Sequence, residues 1–272
     1  MNSELHTKSR FALVTGGSSG IGRAYAAALA RDYGYDLLLV SNQLDALAQT
    51  KCEFESAYGV QVQTLCMNLS QPDAAEQLLA YCEQEQLDVQ VLINNAGILI
   101  FDAFYNTPVA KIDVLLGLHV TTLTKLCRLF GERMIENGGG YILNMSSMSA
   151  WMAVPSIACY NASKAYVLNL TKALWYEFRA RGVRVLAVTP GSTDTGLLPF
   201  PPSFGKLLRG LGITMSPERL VNRALKVLFT RRKKRCMPGA WNYIIVPIVE
   251  HLPDWLIFAV MKKLQMFAPQ TK

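Results

Sequence analysis

Short apolar runs alternate with longer amphipathic stretches along most of the chain. Residues 11–15 and 36–41 are rich in β-forming side chains, and helical patterns follow them over residues 21–32 and 44–58. Four further apolar runs, separated by helical patterns, bring the count to six strands: VQTLCMN, VQVLINNAG, YILNMSS and RVLAVTPG. Continuous apolar strands that alternate with helices are typical of a parallel sheet covered on both faces. The pattern therefore predicts the α/β class, with a doubly wound parallel sheet (Rossmann fold) in three αβα layers.

Length and composition indicate one globular domain with an apolar extension. Hydrophobic residues make up 51% of the 272-residue chain and charged residues 17%, which excludes a disordered protein. We expect residues 1–235 to form the Rossmann domain, with a Pro- and Gly-rich substrate loop at about 192–215 of the kind that closes over ligands. We expect residues 236–272 to pack on the same domain. No unbroken apolar run reaches the roughly 18 residues that cross a bilayer, so no spanning helix is expected.

Cysteine usage and charge narrow the functional class further. The six cysteines are scattered, without the spacing of a metal site, so we expect reduced thiols in a cytoplasmic protein and no metal. The formal net charge is +7, and the basic run 231–235 alone supplies five positive charges. Such a run can attract nucleic acid, but no interleaved aromatic residues accompany it. We therefore expect a solvated helix terminus and no nucleic-acid partner.

A glycine-rich turn joins the first strand to the first helix. Residues 15–22 read TGGSSGIG. Small residues at this place let the amides of a helix N-terminus approach a pyrophosphate. An ordinary βα turn is the alternative, but the position between strand and helix favours dinucleotide binding. The candidate cofactor-binding residues of the turn are Gly16, Ser18, Ser19, Gly20, Ile21 and Gly22.

The end of the second strand bears on the choice of dinucleotide. An acidic side chain there bonds the ribose 2′-hydroxyl and repels a 2′-phosphate. The segment reads Val40-Ser41-Asn42-Gln43, and no carboxylate occurs before Asp45. The sequence therefore favours NADP(H), with NAD(H) as the alternative.

Tyr160 and Lys164 are the chemically informative pair. Their spacing of four residues places the phenol and the ammonium on one face of a predicted helix. A neighbouring cation stabilises a phenolate and makes tyrosine usable as an acid or base. Ser147 ends a strand at the sheet edge where such folds bind ligands, and its hydroxyl can hold a substrate oxygen. Ser146 is the alternative to Ser147. Without a catalytic role, the YxxxK pair would be an ordinary feature of an amphipathic helix, and the serine would be a capping residue.

The glycine turn, the NNAG segment at 94–97, Ser147 and the YxxxK pair together resemble the short-chain dehydrogenase/reductase family over about residues 11–230. The resemblance implies direct hydride transfer between a nicotinamide and a substrate carbon, in a dimer or tetramer. It implies Tyr160 as general acid or base, Lys164 as the group that tunes it and binds the nicotinamide ribose, and Ser147 as the group that polarises the carbonyl. It also implies that the cofactor contacts Asn42, Asn68, Leu69, Asn95, Ala96, Gly97, Tyr160, Lys164, Pro190, Gly191, Thr193 and Thr195.

Four residues depart from the family pattern. Asn42 stands where members that prefer NADP often have arginine, and Asn68-Leu69 replaces a usual Asp-Val pair. His119 stands where the family usually has an asparagine that shapes a water relay to the lysine. Either the histidine keeps the relay by exchanging protons, or it is a packed helix residue without a chemical part.

The C-terminal extension carries a PGAWN segment at 238–242 and a second apolar segment at 252–263. A lid over an apolar pocket and a subunit contact are the favoured interpretations, and an amphipathic helix on an anionic membrane is the third. The sequence as a whole predicts an NADP(H)-dependent carbonyl reductase or alcohol dehydrogenase that acts on an apolar ketone or secondary alcohol. The alternative is a dinucleotide-binding sensor or scaffold with little turnover, supported only by His119 and Asn42.

Overall fold

The computed structural model describes residues 10–191, 215–239, 242–243, 247–248 and 251–263. Within them, seven strands form one parallel sheet in the order β3-β2-β1-β4-β5-β6-β7. The strands are β1 Arg10–Thr15, β2 Asp36–Ser41, β3 Val62–Cys66, β4 Asp88–Asn94, β5 Gly140–Met145, β6 Val183–Val188 and β7 Arg235–Cys236. The predicted class, a doubly wound parallel α/β sheet, is confirmed.

Residues 242–243 and 247–248 are helical, and eight further α-helices have both ends within the described residues. They are α1 Gly20–Tyr33, α2 Leu44–Tyr58, α3 Ala74–Gln84, α4 Val109–Leu116, α5 Leu123–Glu136, α6 Ala158–Arg179, α7 Pro217–Thr230 and α8 Asp254–Lys263. A π-helical turn, Gly117–Thr122, joins α4 to α5. Shorter 3-10 turns occupy Phe104–Asn106 and Met148–Trp151. Ser216 caps α7 through its hydroxyl, and Pro217 stands at the first turn.

The apolar core has one half on each face of the sheet. Successive side chains of a strand point to opposite faces, so Ala12 and Val14 join the half packed against α1 and α7. Leu13 joins the other half, which packs against α3, α5 and α6. Both faces of β1 are therefore covered by helices, which explains why its sequence is a continuous apolar run instead of an alternating one.

The seventh strand was not predicted. β7 has two residues and pairs in parallel with β6, with Ala187 opposite Arg235 and Val188 opposite Cys236. Its first residue belongs to the basic run, which the sequence analysis took as a solvated helix terminus. Arg231–Lys233 do follow the end of α7 and are exposed, but Arg235 lies on the sheet edge. A basic residue in a two-residue strand gives no apolar periodicity, and this is why the pattern missed it.

The order of the strands places the candidate site. The chain moves outward from β1 to β3 on one side and from β4 to β7 on the other, so the topological switch lies between β1 and β4. Ligands of doubly wound sheets bind at this point, outside the carboxyl ends of the strands. The glycine turn follows β1, the NNAG segment follows β4, and Ser147 and Pro190 follow β5 and β6. All four segments therefore lie at one edge of the sheet, beyond the carboxyl ends of the strands.

One helical stretch among the described residues, Val109–Glu136, is long and apolar enough by length and composition to cross a membrane. No such helix is expected from the sequence, because no unbroken apolar run is long enough. Core helices of soluble proteins meet the same criterion. Leu126 and Phe130 of this stretch are buried against the sheet, and we therefore interpret it as a core helix.

Candidate active site

The glycine turn leaves an open cradle above the start of α1. Gly16 and Gly20 have φ angles of +66° and +53°, in the left-handed region that favours glycine. A Cβ at Gly22 would lie 2.0 Å from the Gly16 carbonyl oxygen, so the helix packs directly on the turn. A Cβ at Gly20 would meet nothing within 4 Å. The first amides of α1 have no partner within the helix, and the space before them suits the pyrophosphate of a dinucleotide.

Thr15 fixes the NNAG segment beside this cradle. Its hydroxyl accepts hydrogen bonds from the amides of Asn95 and Ala96, at 2.9 and 3.0 Å, and donates to the Ile93 carbonyl at 3.2 Å. The Asn95 side chain donates in return to the Thr15 carbonyl at 3.1 Å. The two loops at the topological switch are thus held together by a single threonine, which the sequence analysis did not single out.

The opposite end of the cofactor site is built on β2 and β3. Asn42 is exposed just beyond β2, and the Ser18 hydroxyl donates to Ser41 Oγ at 2.8 Å. Asn68 Oδ1 accepts from both the amide and the hydroxyl of Ser70, which folds the residue into a local turn. Leu69 is buried, as expected for a residue that lines the side of the cofactor site. The guanidinium of Arg23 pairs with Glu53, so this cation has a partner on α2.

Ser147, Tyr160 and Lys164 meet at the carboxyl ends of β5 and β6. Lys164 is 5% exposed, donates to the Met145 carbonyl at 3.0 Å, and its Nζ lies 5.5 Å from the centroid of the Tyr160 ring. Burial lowers the pKa of Lys164 to about 8. Burial raises the pKa of Tyr160, and its hydrogen bond with Ser147 partly opposes that rise. Desolvation thus outweighs the stabilisation of the phenolate that the sequence predicts from Lys164, and the net shift of the Tyr160 pKa is upward.

The two neighbouring serines have different partners. The Ser146 hydroxyl is buried and donates to the Lys164 carbonyl at 2.7 Å, which ties α6 to the end of β5. Ser147 bonds Tyr160 and accepts from the Ser149 amide at 3.2 Å, where it caps the 3-10 turn. The geometry thus brings Ser147 to the phenol and directs Ser146 into the structure.

His119 sits in the π-helical turn and is 1% exposed. Its Nε2 accepts from the Ile98 amide at 3.0 Å, so the ring proton is assigned to Nδ1, which lies 2.9 Å from Ser163 Oγ. The Ser163 hydroxyl donates in turn to the Tyr160 carbonyl at 2.8 Å. Burial, and after it the charge of Lys164, lowers the pKa of His119 well below its ordinary value. Both nitrogens therefore bond protein groups, which favours the packed histidine over the proton relay.

The absence of a side chain at Gly97 leaves room for the imidazole of His119. A Cβ at residue 97 would lie 2.8 Å from His119 Nε2, closer than side chains normally approach. The imidazole thus fills the space that any larger residue at 97 would need. The ring also packs edge-on against Tyr160, with 5.8 Å between centroids.

The end of β6 is held by the C-terminal extension. The Pro190 carbonyl accepts from the Met148 amide at 2.9 Å. Asn242 is 3% exposed, its side chain donates to the Pro238 carbonyl, and a Cβ at Gly191 would lie 2.6 Å from its Oδ1. The PGAWN segment is visible in the sequence, but the sequence alone does not assign Asn242 to the site. Thr193 and Thr195 lie outside the described residues.

The structure brings most of the predicted residues to one edge of the sheet. The turn at 16–22, the segment 95–97, the Ser147–Tyr160–Lys164 set and residues 190–191 surround the switch point, with Asn42 and Asn68–Leu69 toward β3. A glycine cradle beside a hydrogen-bonded Ser–Tyr pair and a buried lysine is the construction of a nicotinamide-dependent oxidoreductase. A family model described as short chain dehydrogenase matches residues 10–200, and the chain belongs to this family of oxidoreductases.

Known proteins resemble the chain over most of its length. It is 30% identical over 254 residues to the very-long-chain 3-oxoacyl-CoA reductase of Bos taurus, covering 92% of this chain and 78% of the relative. A structure of 7β-hydroxysteroid dehydrogenase superposes with a TM-score of 0.82 at 25% identity, covering 93% and 96% of the two chains. A short-chain dehydrogenase from Sphingobium yanoikuyae in complex with NADPH gives a TM-score of 0.75 at 28% identity, covering 97% and 98%.

Proposed function

We propose that the protein is an NADP(H)-dependent reductase of ketones on large apolar substrates, with a 3-oxoacyl thioester as the foremost substrate class. The observation that carries the proposal is the Tyr160 phenol, hydrogen-bonded to Ser147 and packed beside buried Lys164 at the switch point. The relatives named 3-oxoacyl-CoA reductases support the thioester. The cytoplasmic location and the homo-oligomer expected from the sequence remain proposals of the same kind.

The residues present suit a nicotinamide dinucleotide. The cradle at Gly20 and the amides of α1 would hold its pyrophosphate, and the segment 95–97 would line its middle. The missing carboxylate between Ser41 and Asp45 supports the 2′-phosphorylated form, as does the similarity to an NADPH-bound structure. When bound, the cofactor supplies the hydride that reduces the carbonyl carbon.

The chain itself supplies the oxygen contacts and the proton. We propose that the Ser147 and Tyr160 hydroxyls hold the substrate oxygen, where negative charge develops as the carbon is reduced. Tyr160 then gives its proton to that oxygen, so that one hydride and one proton convert the ketone to a secondary alcohol. Lys164, with Nζ 5.5 Å from the ring centroid, favours the phenolate left behind.

The test measures binding before turnover. Calorimetry with NADPH and NADH gives the preferred cofactor, and oxidation of that cofactor is then followed with 3-oxoacyl-CoA esters of increasing chain length and with ketosteroids. We expect tighter binding of NADPH and turnover that increases with apolar length. Tyr160→Phe should bind NADPH as the unchanged protein does and lose about 10²- to 10⁴-fold in kcat. Binding without turnover of any ketone would instead support the sensor or scaffold.

A further inference from the structure

Three cations stand together on the outer side of the sheet edge formed by β6 and β7. Lys234 donates to Tyr176 Oη at 2.7 Å, and its Nζ lies 4.8 Å from that ring centroid. The Arg235 guanidinium carbon lies 5.3 Å from the Trp151 ring centroid. Lys172 lies one helical turn before Tyr176 on α6 and completes the group, and we call these three the edge cations. The pKa of Lys172 is lowered by burial and then by the charges of Arg235 and Lys234, so both of these charges act on Lys172.

None of the edge cations forms an ion pair with a carboxylate of a described residue. Within the part of the chain that the structure describes, the seven ion pairs involve other residues, such as Arg128 with Glu132 and Lys51 with Glu55. The exposed residues 231–233 continue the positive charge along the same edge. Charge on an edge strand protects it from pairing with another chain, but that purpose needs neither Lys172 from α6 nor the two aromatic contacts. A surface with three neighbouring cations that form no ion pair among the described residues instead suits an anionic ligand.

One end of this surface lies near Ser147, and α6 carries the rest away from the site, with Lys172 eight residues, or about 12 Å, beyond Lys164. Trp151 ends the 3-10 turn that begins directly after Ser147, so four residues of about 2 Å rise place it roughly 8 Å along from the serine. β7 lies four strand steps from β1, which is roughly 19 Å from the cofactor cradle. Phosphates held here would belong to a molecule that approaches the site from the Ser147 side.

We propose that the edge cations bind the phosphate groups of a coenzyme A thioester whose acyl chain enters the site beside Ser147. This inference rests on the proposed function and specifies which part of that substrate the edge cations recognise. The Arg235 guanidinium can meet phosphate oxygens with two parallel donors, and the lysines act as point charges. Stacking on Trp151 and Tyr176 holds both long side chains in place, so less conformational entropy is lost on binding.

The test compares two thioesters of the same 3-oxoacyl chain, one on coenzyme A and one on N-acetylcysteamine, which lacks phosphate. The variant Lys172→Gln/Arg235→Gln removes two edge cations. Lys51→Gln/Arg128→Gln removes the same charge from distant exposed positions and serves as the control. We expect the edge variant to raise KM for the coenzyme A ester about tenfold or more, with kcat unchanged. KM for the N-acetylcysteamine ester should change less than twofold, and the control should change neither. In the unchanged protein, added salt should raise only the first KM.

Equal changes of KM for the two esters, or the same change in the control variant, would overturn the proposal and leave protection of the edge strand as the explanation. If the unchanged protein reduces other ketones but neither thioester, the proposed substrate class fails separately. Calorimetry with coenzyme A itself, in the presence of NADPH, then tests whether the edge cations bind phosphate. Binding that the edge variant loses supports the edge cations as a phosphate site, and absence of binding to the unchanged protein refutes them.

Discussion

The imidazole of His119 connects a loop of the cofactor site to the helix that carries the tyrosine. Its Nε2 accepts from the Ile98 amide and its Nδ1 bonds Ser163, one residue before Lys164. The family resemblance suggested a proton relay at this position, but a neutral ring with both nitrogens engaged is suited to positioning. Asparagine presents an N–H near the place of Nδ1–H, whereas glutamine presents an oxygen near the place of Nε2. The two amides therefore separate the two contacts.

We predict different losses from the two amide substitutions. His119→Asn keeps a donor for Ser163 and releases the Ile98 amide, so the affinity for NADPH should fall about tenfold while kcat changes little. His119→Gln keeps the Ile98 contact and releases Ser163, so kcat should fall by a similar factor with affinity nearly unchanged. Calorimetry and steady-state kinetics on both variants check this. Equal effects on both quantities in both variants would show that the ring only fills space.

Lys164 makes stability depend on pH in a definite direction. Its pKa is about 8 in the folded chain and 10.5 ordinarily. Between these values the unfolded chain binds the proton and the folded chain does not, so stability rises as the pH rises from about 8 to about 10.5. Below pH 8 the folded chain carries the full cost of the buried ammonium.

Lys164→Met should therefore stabilise the protein and inactivate it. We expect it to be about 1–2 kcal/mol more stable than the unchanged chain at pH 7, because the burial cost outweighs the lost hydrogen bond to Met145. Its Tm should lack the rise above pH 8, and ketone reduction should disappear. Thermal unfolding across the pH range, without cofactor, measures the effect. A variant less stable at pH 7 that still shows the rise would assign the pH dependence to another group.

Two glycines with similar backbone angles allow a test of whether the start of α1 holds the cofactor pyrophosphate. Gly20 and Gly59 have φ angles of +53° and +65°, and a Cβ at either would meet nothing within 4 Å. Gly20 stands over the cofactor cradle, whereas Gly59 ends α2. Alanine at either position should cost about 1–2 kcal/mol from left-handed strain. Only Gly20→Ala should weaken NADPH binding, about tenfold or more, since its methyl group enters the cradle. Equal affinities of the two variants for NADPH would place the pyrophosphate elsewhere.

Packing and chain direction explain which parts of the site could be predicted from the sequence. The strands of the sheet were visible because buried parallel strands are continuous apolar runs, and the carboxyl end of each strand then placed the glycine turn, Ser147 and Pro190 together. The net upward shift of the Tyr160 pKa could not be predicted, because burial is set by the whole fold and not by the spacing to Lys164. The short strand β7 and the side-chain contacts of His119 depend on neighbours distant in the chain, which periodicity does not report.

Asn242 joins the far end of the chain to the centre of the site. Its side chain lies against Gly191 and donates to the Pro238 carbonyl, so Asn242 packs against the segment that follows β6. Asn242→Ala should free this end of β6, and we expect kcat/KM to fall about tenfold with a smaller loss of Tm. Tyr243→Ala, at the exposed neighbouring residue, is the control and should change neither. If Asn242→Ala lowered Tm but left kcat/KM unchanged, the extension would stabilise the fold without shaping the site.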